Sequence, residues 1–151
     1  RLADVERICG AVEAELGPVD VLVNAAGTYG PRVPFSAADP EHWWRVLEIN
    51  LRAPALLCRR LVPGMVARGR GLVVNVNSKA SVWDDPGQSS VAYSASKAGL
   101  ARFTEALAAE VRGTGVVVVD MEENVRNTMR RAEPRIRTLS LVPYGPGDPT
   151  A

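Results

Sequence analysis

Apolar residues recur at helical spacing in three stretches of the chain. The first stretch is apolar at three- and four-residue intervals: Leu2, Val5, Cys9, Val12 and Leu16. This spacing is typical of the buried face of an amphipathic helix, and Gly17-Pro18 ends it. A second helix is predicted from about Pro40 to about Val66, because Asp39-Pro40-Glu41 combines an N-cap, a proline in the first turn and an acid. The third is predicted from about Val91 to Val111.

Short apolar runs rich in valine separate these helices and predict buried parallel strands. The runs are Val19 to Val23, Leu72 to Val76 and Val116 to Val119. Helices that alternate with strands favour an α/β fold with a parallel sheet. Beyond the third strand the pattern dissolves, with a possible polar helix over Arg126 to Arg137 and a turn-rich loop over Pro143 to Pro149.

Length, charge and composition are those of one soluble domain. The chain has 151 residues, 46% of them hydrophobic, and a formal net charge of +1. That charge favours neither nucleic acid nor an anionic membrane, and no apolar run approaches the roughly 18 residues of a membrane span. Cys9 and Cys58 both fall on apolar helix positions, which favours buried thiols and a cytoplasmic location. Because His42 is the sole histidine, we expect neither a histidine metal site nor a Ser-His-Asp triad.

Tyr93 and Lys97 are candidates for acid–base chemistry. They stand four residues apart on a predicted helix, so their side chains project from the same face. A free tyrosine has a pKa near 10, which is about three units too high for a base at neutral pH. A neighbouring ammonium favours the phenolate and supplies part of that shift. The pair by itself is also common on ordinary solvated helix surfaces.

The neighbouring motifs make the pair more specific. Tyr93 to Lys97 reads YSASK, Asn75 to Ser78 reads NVNS at the end of a predicted strand, and Asn24 to Gly27 reads NAAG at the end of another. Along the chain the motifs follow one another as NAAG, NVNS and YSASK. In this order and at this spacing, they resemble those of the short-chain dehydrogenase/reductase family. The resemblance covers residues 1 to about 120. It implies a doubly wound, Rossmann-type parallel sheet with helices on both faces, of which this chain carries a part.

The resemblance also implies catalytic roles. Tyr93 would exchange a proton with the substrate oxygen, and Lys97 would lower the tyrosine pKa and hold the nicotinamide ribose. Ser78 would hydrogen-bond the reacting oxygen, although a strand-end cap is the structural alternative. Ser81 is a competing candidate, because the interval from Ser78 to Tyr93 is longer than in many family members.

Asn50 resembles the family's fourth catalytic member. It lies on the apolar stripe of the second predicted helix, where a polar amide would be buried and would require hydrogen-bond partners or a functional role. Pro54, four residues later, has no N–H to donate to the Asn50 carbonyl. A water could therefore bridge that carbonyl to Lys97 as a proton relay. The structural alternative is a buried amide that only satisfies nearby backbone.

The resemblance implies that Asn24, Ala25, Ala26 and Gly27 contribute to binding of NAD or NADP together with Tyr93 and Lys97. Gly27 would let the backbone pass close to the ligand, and Asn24 could bridge adjacent strands. Ala25 departs mildly from the second asparagine of the usual motif.

Several features depart from the family pattern. The phosphate-binding sequence Gly-x-x-x-Gly-x-Gly does not occur among the 13 glycines. Glu122-Glu123 falls where a Pro-Gly pair is usual, and Asn127 where a threonine is usual. We therefore expect a partial domain that lacks the N-terminal glycine-rich unit and the C-terminal helix and strand, with an edge strand exposed.

The expected function is hydride transfer between NAD or NADP and an alcohol or carbonyl compound. The alternative is a non-catalytic, degenerate fragment that binds a partner or has only a structural role. Apolar residues on the helices near 40–66 and 91–111, together with the family's habit of pairing these helices, predict a homodimer or homotetramer.

Overall fold

A four-stranded parallel sheet forms the centre of the computed structural model, which describes residues 1–81, 90–122 and 138–140. Its strands are β1 (Val21–Asn24), β2 (Gly71–Asn77), β3 (Val116–Glu122) and β4 (Thr138–Ser140). They lie in the order β3-β2-β1-β4, and every neighbouring pair is parallel. The three strands predicted from apolar runs are thus confirmed, each with slightly different ends.

The fourth strand was not predicted. Residues 138–140 pair with Val21, Leu22 and Val23 on the side of β1 that faces away from β2. β1 is therefore an inner strand, and β3 and β4 are the edges of the described sheet. A strand of three residues carries no periodicity of its own, so the sequence pattern could not reveal it.

The helices are α1 (Leu2–Leu16), α2 (Pro40–Leu47), α3 (Ala53–Arg68) and α4 (Val91–Glu110). A core on one face of the sheet joins α1, α3 and α4 through buried side chains such as Cys9, Leu61 and Val111. The opposite face carries a second cluster, made only of strand and loop residues around Val23 and Val74. Among the described residues, helices therefore cover one face, not both.

A π-helical turn, Glu48–Arg52, interrupts the single helix predicted from about residue 40 to 66. The Ala53 N–H donates to the Glu48 carbonyl, five residues back. Pro54 follows at once and has no N–H to continue the α-helical ladder, which explains a wider turn at this point. The turn includes Asn50, and such bulges are frequent at functional sites.

The N-cap predicted for the second helix is confirmed. The Asp39 carboxylate accepts hydrogen bonds from the Glu41 and His42 amides at 2.7 and 3.1 Å, so it caps α2. Gly69 ends α3 with a positive φ of 68°. Before α2, Phe35–Ala37 forms one 3-10 turn.

None of the helices in the described part of the chain combines the length and apolarity needed to span a membrane.

Candidate active site

The chemistry-bearing motifs meet at the carboxyl edge of the sheet. Asn24 is the last residue of β1 and is in register with Asn75 of β2. Gly27 lies just beyond the end of β1, and Ser78 just beyond the end of β2. Carboxyl ends of parallel strands meet at one edge, and open α/β sheets bind ligands there. Helix α4 packs against β2, β3 and the 3-10 turn Lys79–Ser81, which brings its first turns to the same edge.

Lys97 reaches from α4 to this edge. Its Nζ donates a hydrogen bond to the Val76 carbonyl of β2 at 2.8 Å and lies 5.7 Å from the centroid of the Tyr93 ring. Only 5% of each residue, Tyr93 and Lys97, is exposed. The four-residue spacing on α4 therefore does place ammonium and phenol side by side, as the sequence predicted.

Asn50 is fully buried and fastens the loop after β1 to the helices. Its side-chain oxygen accepts from the Thr28 amide at 2.8 Å, and its nitrogen donates to the Thr28 carbonyl at 2.9 Å. The same nitrogen donates to the Ser96 hydroxyl at 2.9 Å. Within the described residues, the Asn50 side chain thus bonds to both backbone groups of Thr28 and to the Ser96 hydroxyl. The water relay through the Asn50 backbone carbonyl stays a prediction.

Gly27 lies between these two groups. A Cβ on Gly27 would meet the Asn50 side-chain oxygen at 3.6 Å and Lys97 Nζ at 3.8 Å. A methyl group at this position would therefore be in ordinary van der Waals contact with both the amide oxygen and the buried ammonium. A site with a cation, a bare backbone and two strand ends fits the ribose and nicotinamide half of a dinucleotide. The pyrophosphate half has no such fit, because the sequence holds no Gly-x-x-x-Gly-x-Gly loop.

Ser78 begins the turn that follows β2. Its hydroxyl oxygen accepts from the Ala80 amide at 3.3 Å, and its carbonyl accepts from the Ser81 amide at 2.9 Å. Accepting one bond leaves the hydroxyl proton able to donate elsewhere. Ser78 is therefore a strand-end cap and still a candidate donor, while Ser81 lies in the same turn. That the Ser78 and Tyr93 hydroxyls share one substrate oxygen remains a prediction.

Asn24 is buried, and its side chain bonds to the neighbouring strand. Its amide donates to the Asn75 side-chain oxygen at 2.7 Å, and Asn75 donates in turn to the Thr104 hydroxyl at 2.8 Å. This chain of bonds ties β1, β2 and α4 together, as expected of a residue that bridges strands. The Asn24 amide also lies 3.7 Å from the Cys58 sulfur. Burial raises the pKa of the Cys58 thiol to about 12, so that thiol stays neutral.

Four residues near the site were missed by the sequence reasoning. They are Thr28, Tyr29, Ser90 and Ser96. The Ser90 hydroxyl accepts from the Tyr93 amide at 3.1 Å, so it caps α4. A serine directly before an apolar periodic run is an N-cap signal that could have identified it. No local signal marks the other three, whose contacts join distant parts of the chain.

The positions after the third strand at which the sequence differs from the family pattern lie largely outside the described residues. The structure describes neither the side chains of Glu122 and Glu123 nor any part of Asn127. The polar helix expected over 126–137 and the loop expected over 143–149 also lie outside the described residues.

Fold and site together define a Rossmann-type α/β domain with its ligand edge at the strand ends. The family model described as short chain dehydrogenase matches residues 1–135. The chain therefore belongs to the short-chain dehydrogenase/reductase family of oxidoreductases, and the sequence-based recognition is confirmed.

Individual relatives agree with this family. A short chain dehydrogenase of Pseudocercospora fijiensis is 43% identical over 141 residues, which cover 91% of this chain and 45% of the relative. A 3-oxoacyl-acyl-carrier-protein reductase of Vibrio cholerae is 33% identical over 150 residues, covering 96% of this chain and 60% of the relative.

Solved structures show the same fold. A short-chain dehydrogenase from Streptomyces avermitilis matches with a TM-score of 0.75 and 35% identity, covering 81% of this chain and 44% of the other. A gluconate 5-dehydrogenase from Burkholderia cenocepacia, solved with NADP and tartrate, matches with a TM-score of 0.74 and 26% identity, covering 87% and 53%. The chain thus spans about half the length of the relatives it matches.

Proposed function

We propose that the protein is an NAD- or NADP-dependent oxidoreductase acting on an alcohol or carbonyl compound. The observation that carries this proposal is the position of Lys97. Its ammonium is held on the Val76 carbonyl at the carboxyl edge of the sheet, 5.7 Å from the centroid of the Tyr93 ring. A buried cation beside a phenol stabilises the phenolate, and this is what a tyrosine acid or base needs at neutral pH.

In this proposal Tyr93 carries the proton. In the direction of reduction its hydroxyl donates a proton to the carbonyl oxygen of the substrate, and in oxidation the phenolate accepts the alcohol proton. Lys97 lowers the pKa of Tyr93 by its charge. Ser78 donates a hydrogen bond to the same substrate oxygen and stabilises the negative charge that develops there. Asn50 holds the loop after β1 through Thr28, and its backbone carbonyl, opposite Pro54, would accept the water of a relay to Lys97.

The nicotinamide cofactor supplies or accepts the hydride when it is bound. Lys97 and Tyr93 would hold its ribose by hydrogen bonds, and the Asn24 to Gly27 segment, with Ala25 and Ala26, would lie against it. The close approach of Gly27 to the ammonium supports this placement, since a side chain there would occupy the space beside Nζ. The two buried free cysteines are consistent with the proposed cytoplasmic location.

Substitutions in the longest natural form of the protein test the mechanism. Tyr93→Phe should lower kcat by about 10²–10⁴-fold, because only the proton-carrying hydroxyl is removed. The Kd for the dinucleotide should change little. Lys97→Ala should weaken both turnover and dinucleotide binding. Near-normal turnover by Tyr93→Phe would show that another residue carries the proton.

A pair of serine variants separates the two candidate donors. Ser78→Ala should lower kcat by about 10²–10³-fold, the usual cost of losing an oxyanion donor. If Ser81→Ala lost that factor instead, the role would pass to Ser81. Ser36→Ala is the matched control, because Ser36 is an exposed serine of the 3-10 turn Phe35–Ala37.

The absence of a Gly-x-x-x-Gly-x-Gly sequence favours a second, non-catalytic function. Without those backbone donors the chain by itself would be a non-catalytic fragment that binds a partner through its two long helices or has only a structural role. Dinucleotide binding by the 151-residue chain distinguishes the two.

A further inference from the structure

Tyr29, a residue of the loop after β1, lies directly on Tyr93. The two ring centroids are 4.3 Å apart and the ring planes meet at 29°, which is a stacked contact. Tyr29 is 44% exposed, whereas Tyr93 is 5% exposed. Tyr29 is thus the more outward of the two rings and contributes to the cover over Tyr93.

The backbone on both sides of Tyr29 is held in place. The Ser90 hydroxyl donates to the Tyr29 carbonyl at 2.5 Å and accepts from the Tyr93 amide, so one side chain ties the loop residue to the helix. Thr28, the preceding residue, is bonded through both backbone groups to Asn50. The stack is therefore fixed by hydrogen bonds on the loop as well as by the contact between rings.

The residue after Tyr29 also restricts the loop. Gly30 has a φ of +70°, and a Cβ there would come within 2.5 Å of Val46 Cγ2. A side chain at this position would require the Val46 side chain to shift and would be strained by the positive φ. The Arg32 guanidinium carbon lies 5.4 Å from the centroid of the Tyr29 ring, which adds a cation–π contact. Each of these features keeps the ring over Tyr93.

Given the proposed reaction, this geometry has a consequence for the substrate. The Tyr93 hydroxyl must come within about 2.6–3.2 Å of the reacting oxygen. The two substituents on the reacting carbon then lie within a few ångströms of the Tyr93 ring, and so beside the ring stacked on it. The edge and face of Tyr29 become part of the wall that those substituents touch.

We propose that Tyr29 determines specificity in the reaction of Tyr93: it covers the Tyr93 ring and favours substrates whose carbonyl or carbinol carbon carries a flat, apolar substituent such as an aryl group. Aromatic pairs gain from offset-stacked or edge-to-face contacts beyond the area they bury. An aryl ketone can make that contact with Tyr29, and a methyl ketone cannot. The inference rests on the proposed function, and it adds the class of substrate.

A substrate series measures the specificity. For the longest natural form of the protein and its Tyr29→Ala variant, kcat/KM is determined with matched ketones that carry a phenyl or a methyl group on the carbonyl carbon. The ratio of phenyl to methyl should fall by about three- to tenfold in Tyr29→Ala, through a higher KM for the phenyl ketone. Tyr29→Phe retains the ring and should restore the ratio. Phe35→Ala, which removes an exposed ring of the same loop that contacts Trp43, should keep it.

A chemical readout tests the cover without any turnover. Tetranitromethane should nitrate Tyr29 in the wild-type protein and leave Tyr93 nearly unmodified, as read by peptide mass spectrometry. Tyr29→Ala should raise nitration of Tyr93 several-fold, whereas Tyr29→Phe should not. Circular dichroism confirms that each variant remains folded.

The two measurements test different parts of the proposal. Unchanged nitration of Tyr93 in a folded Tyr29→Ala variant overturns the cover, and an unchanged phenyl-to-methyl ratio overturns the specificity. If the longest natural form of the protein reduces neither ketone and oxidises neither alcohol, the proposed function fails and the specificity with it. The nitration result still decides whether Tyr29 covers Tyr93.

Discussion

Asn50 shows at the scale of one residue how a candidate catalytic group also holds the site together. Its amide bonds to both backbone groups of Thr28 and to the Ser96 hydroxyl, and none of its surface is exposed. Ser96 in turn donates to the Tyr93 carbonyl at 2.7 Å. One side chain therefore connects the loop after β1 to the helix that carries Tyr93 and Lys97.

Asn50→Ala should reduce the free energy of unfolding by about 2–4 kcal/mol. Buried partners left without a hydrogen bond cost about 1–3 kcal/mol each, and the lost side chain leaves a cavity. Urea unfolding checks the value. Glu48→Ala, an exposed change in the same π-helical turn, should stay within about 0.5 kcal/mol. An Asn50→Ala variant as stable as wild type would contradict these bonds.

Cys58 gives the protein a pH dependence in the alkaline range. Burial raises the pKa of its thiol to about 12, against about 8.5 for an exposed cysteine. The folded state therefore keeps the proton that the unfolded state loses. The stability is fully present below pH 8.5 and is lost as the pH rises toward 12. Between pH 8.5 and 10 the wild-type protein should lose about 2 kcal/mol that Cys58→Ala does not lose.

Chemical denaturation at the two pH values measures that difference. The comparison is between slopes, because Cys58→Ala also starts from a lower stability through its cavity. Equal pH dependence in the two proteins would mean that the thiol is accessible to water in the folded state.

At the scale of elements, the turn between α4 and β3 is packed against the end of α3. Gly113 and Gly115 both have positive φ, at 80° and 83°. A Cβ on Gly115 would collide with the Gly69 carbonyl oxygen, whereas a Cβ on Gly113 would meet nothing within 4 Å. Substitution of Gly113 therefore tests backbone strain alone, whereas substitution of Gly115 tests strain together with a steric clash.

Gly113→Ala should cost about 1–2 kcal/mol, the price of a left-handed conformation for an L-residue. Gly115→Ala should cost at least about 2 kcal/mol more, because backbone atoms of Gly69 must also move. Thermal unfolding of the two variants in parallel measures the gap. Equal losses would place the turn away from the α3 terminus.

The elements also show which parts of the fold could be predicted. The three longer strands and the helices follow from periodicity, because each pattern lies within one continuous segment. The π-helical turn could not be predicted from Pro54, because the sequence shows that a backbone donor is lost and not how the helix adjusts to the loss. β4 was missed because its three residues become a strand only by pairing with β1.

For the molecule as a whole, the 151-residue chain alone should neither bind a dinucleotide tightly nor turn over an alcohol. Pyrophosphate binding in this fold relies on backbone N–H groups of a glycine-rich turn and the following helix N-terminus. The sequence contains no such turn. Calorimetric titration with NADH and NADPH checks this. Micromolar affinity for either would show that Tyr93, Lys97 and the loop after β1 suffice.

Association is the second expectation at this scale. The helices near 40–66 and 91–111 carry the apolar residues Leu56 and Ala106 at partly or fully exposed positions, whereas Phe103 packs partly against the core of its own chain. Family members commonly pair these two helices. The natural protein should therefore be a homodimer or homotetramer. Light scattering at high micromolar concentration measures its mass, and a monomer there would count against the expectation.

The sequence by itself determined the α/β alternation and the family, and it supplied Ser78, Tyr93 and Lys97 as candidate site residues. Those properties depend on residues that are close together along the chain, such as Tyr93 and Lys97, which are four positions apart. The tertiary structure alone decided that Tyr29 lies on Tyr93, that Ser90 bonds to the carbonyl of Tyr29, 61 residues away, and that β4 pairs with β1. Such contacts depend on how distant segments pack, and neither periodicity nor a local motif records which partner a side chain will meet.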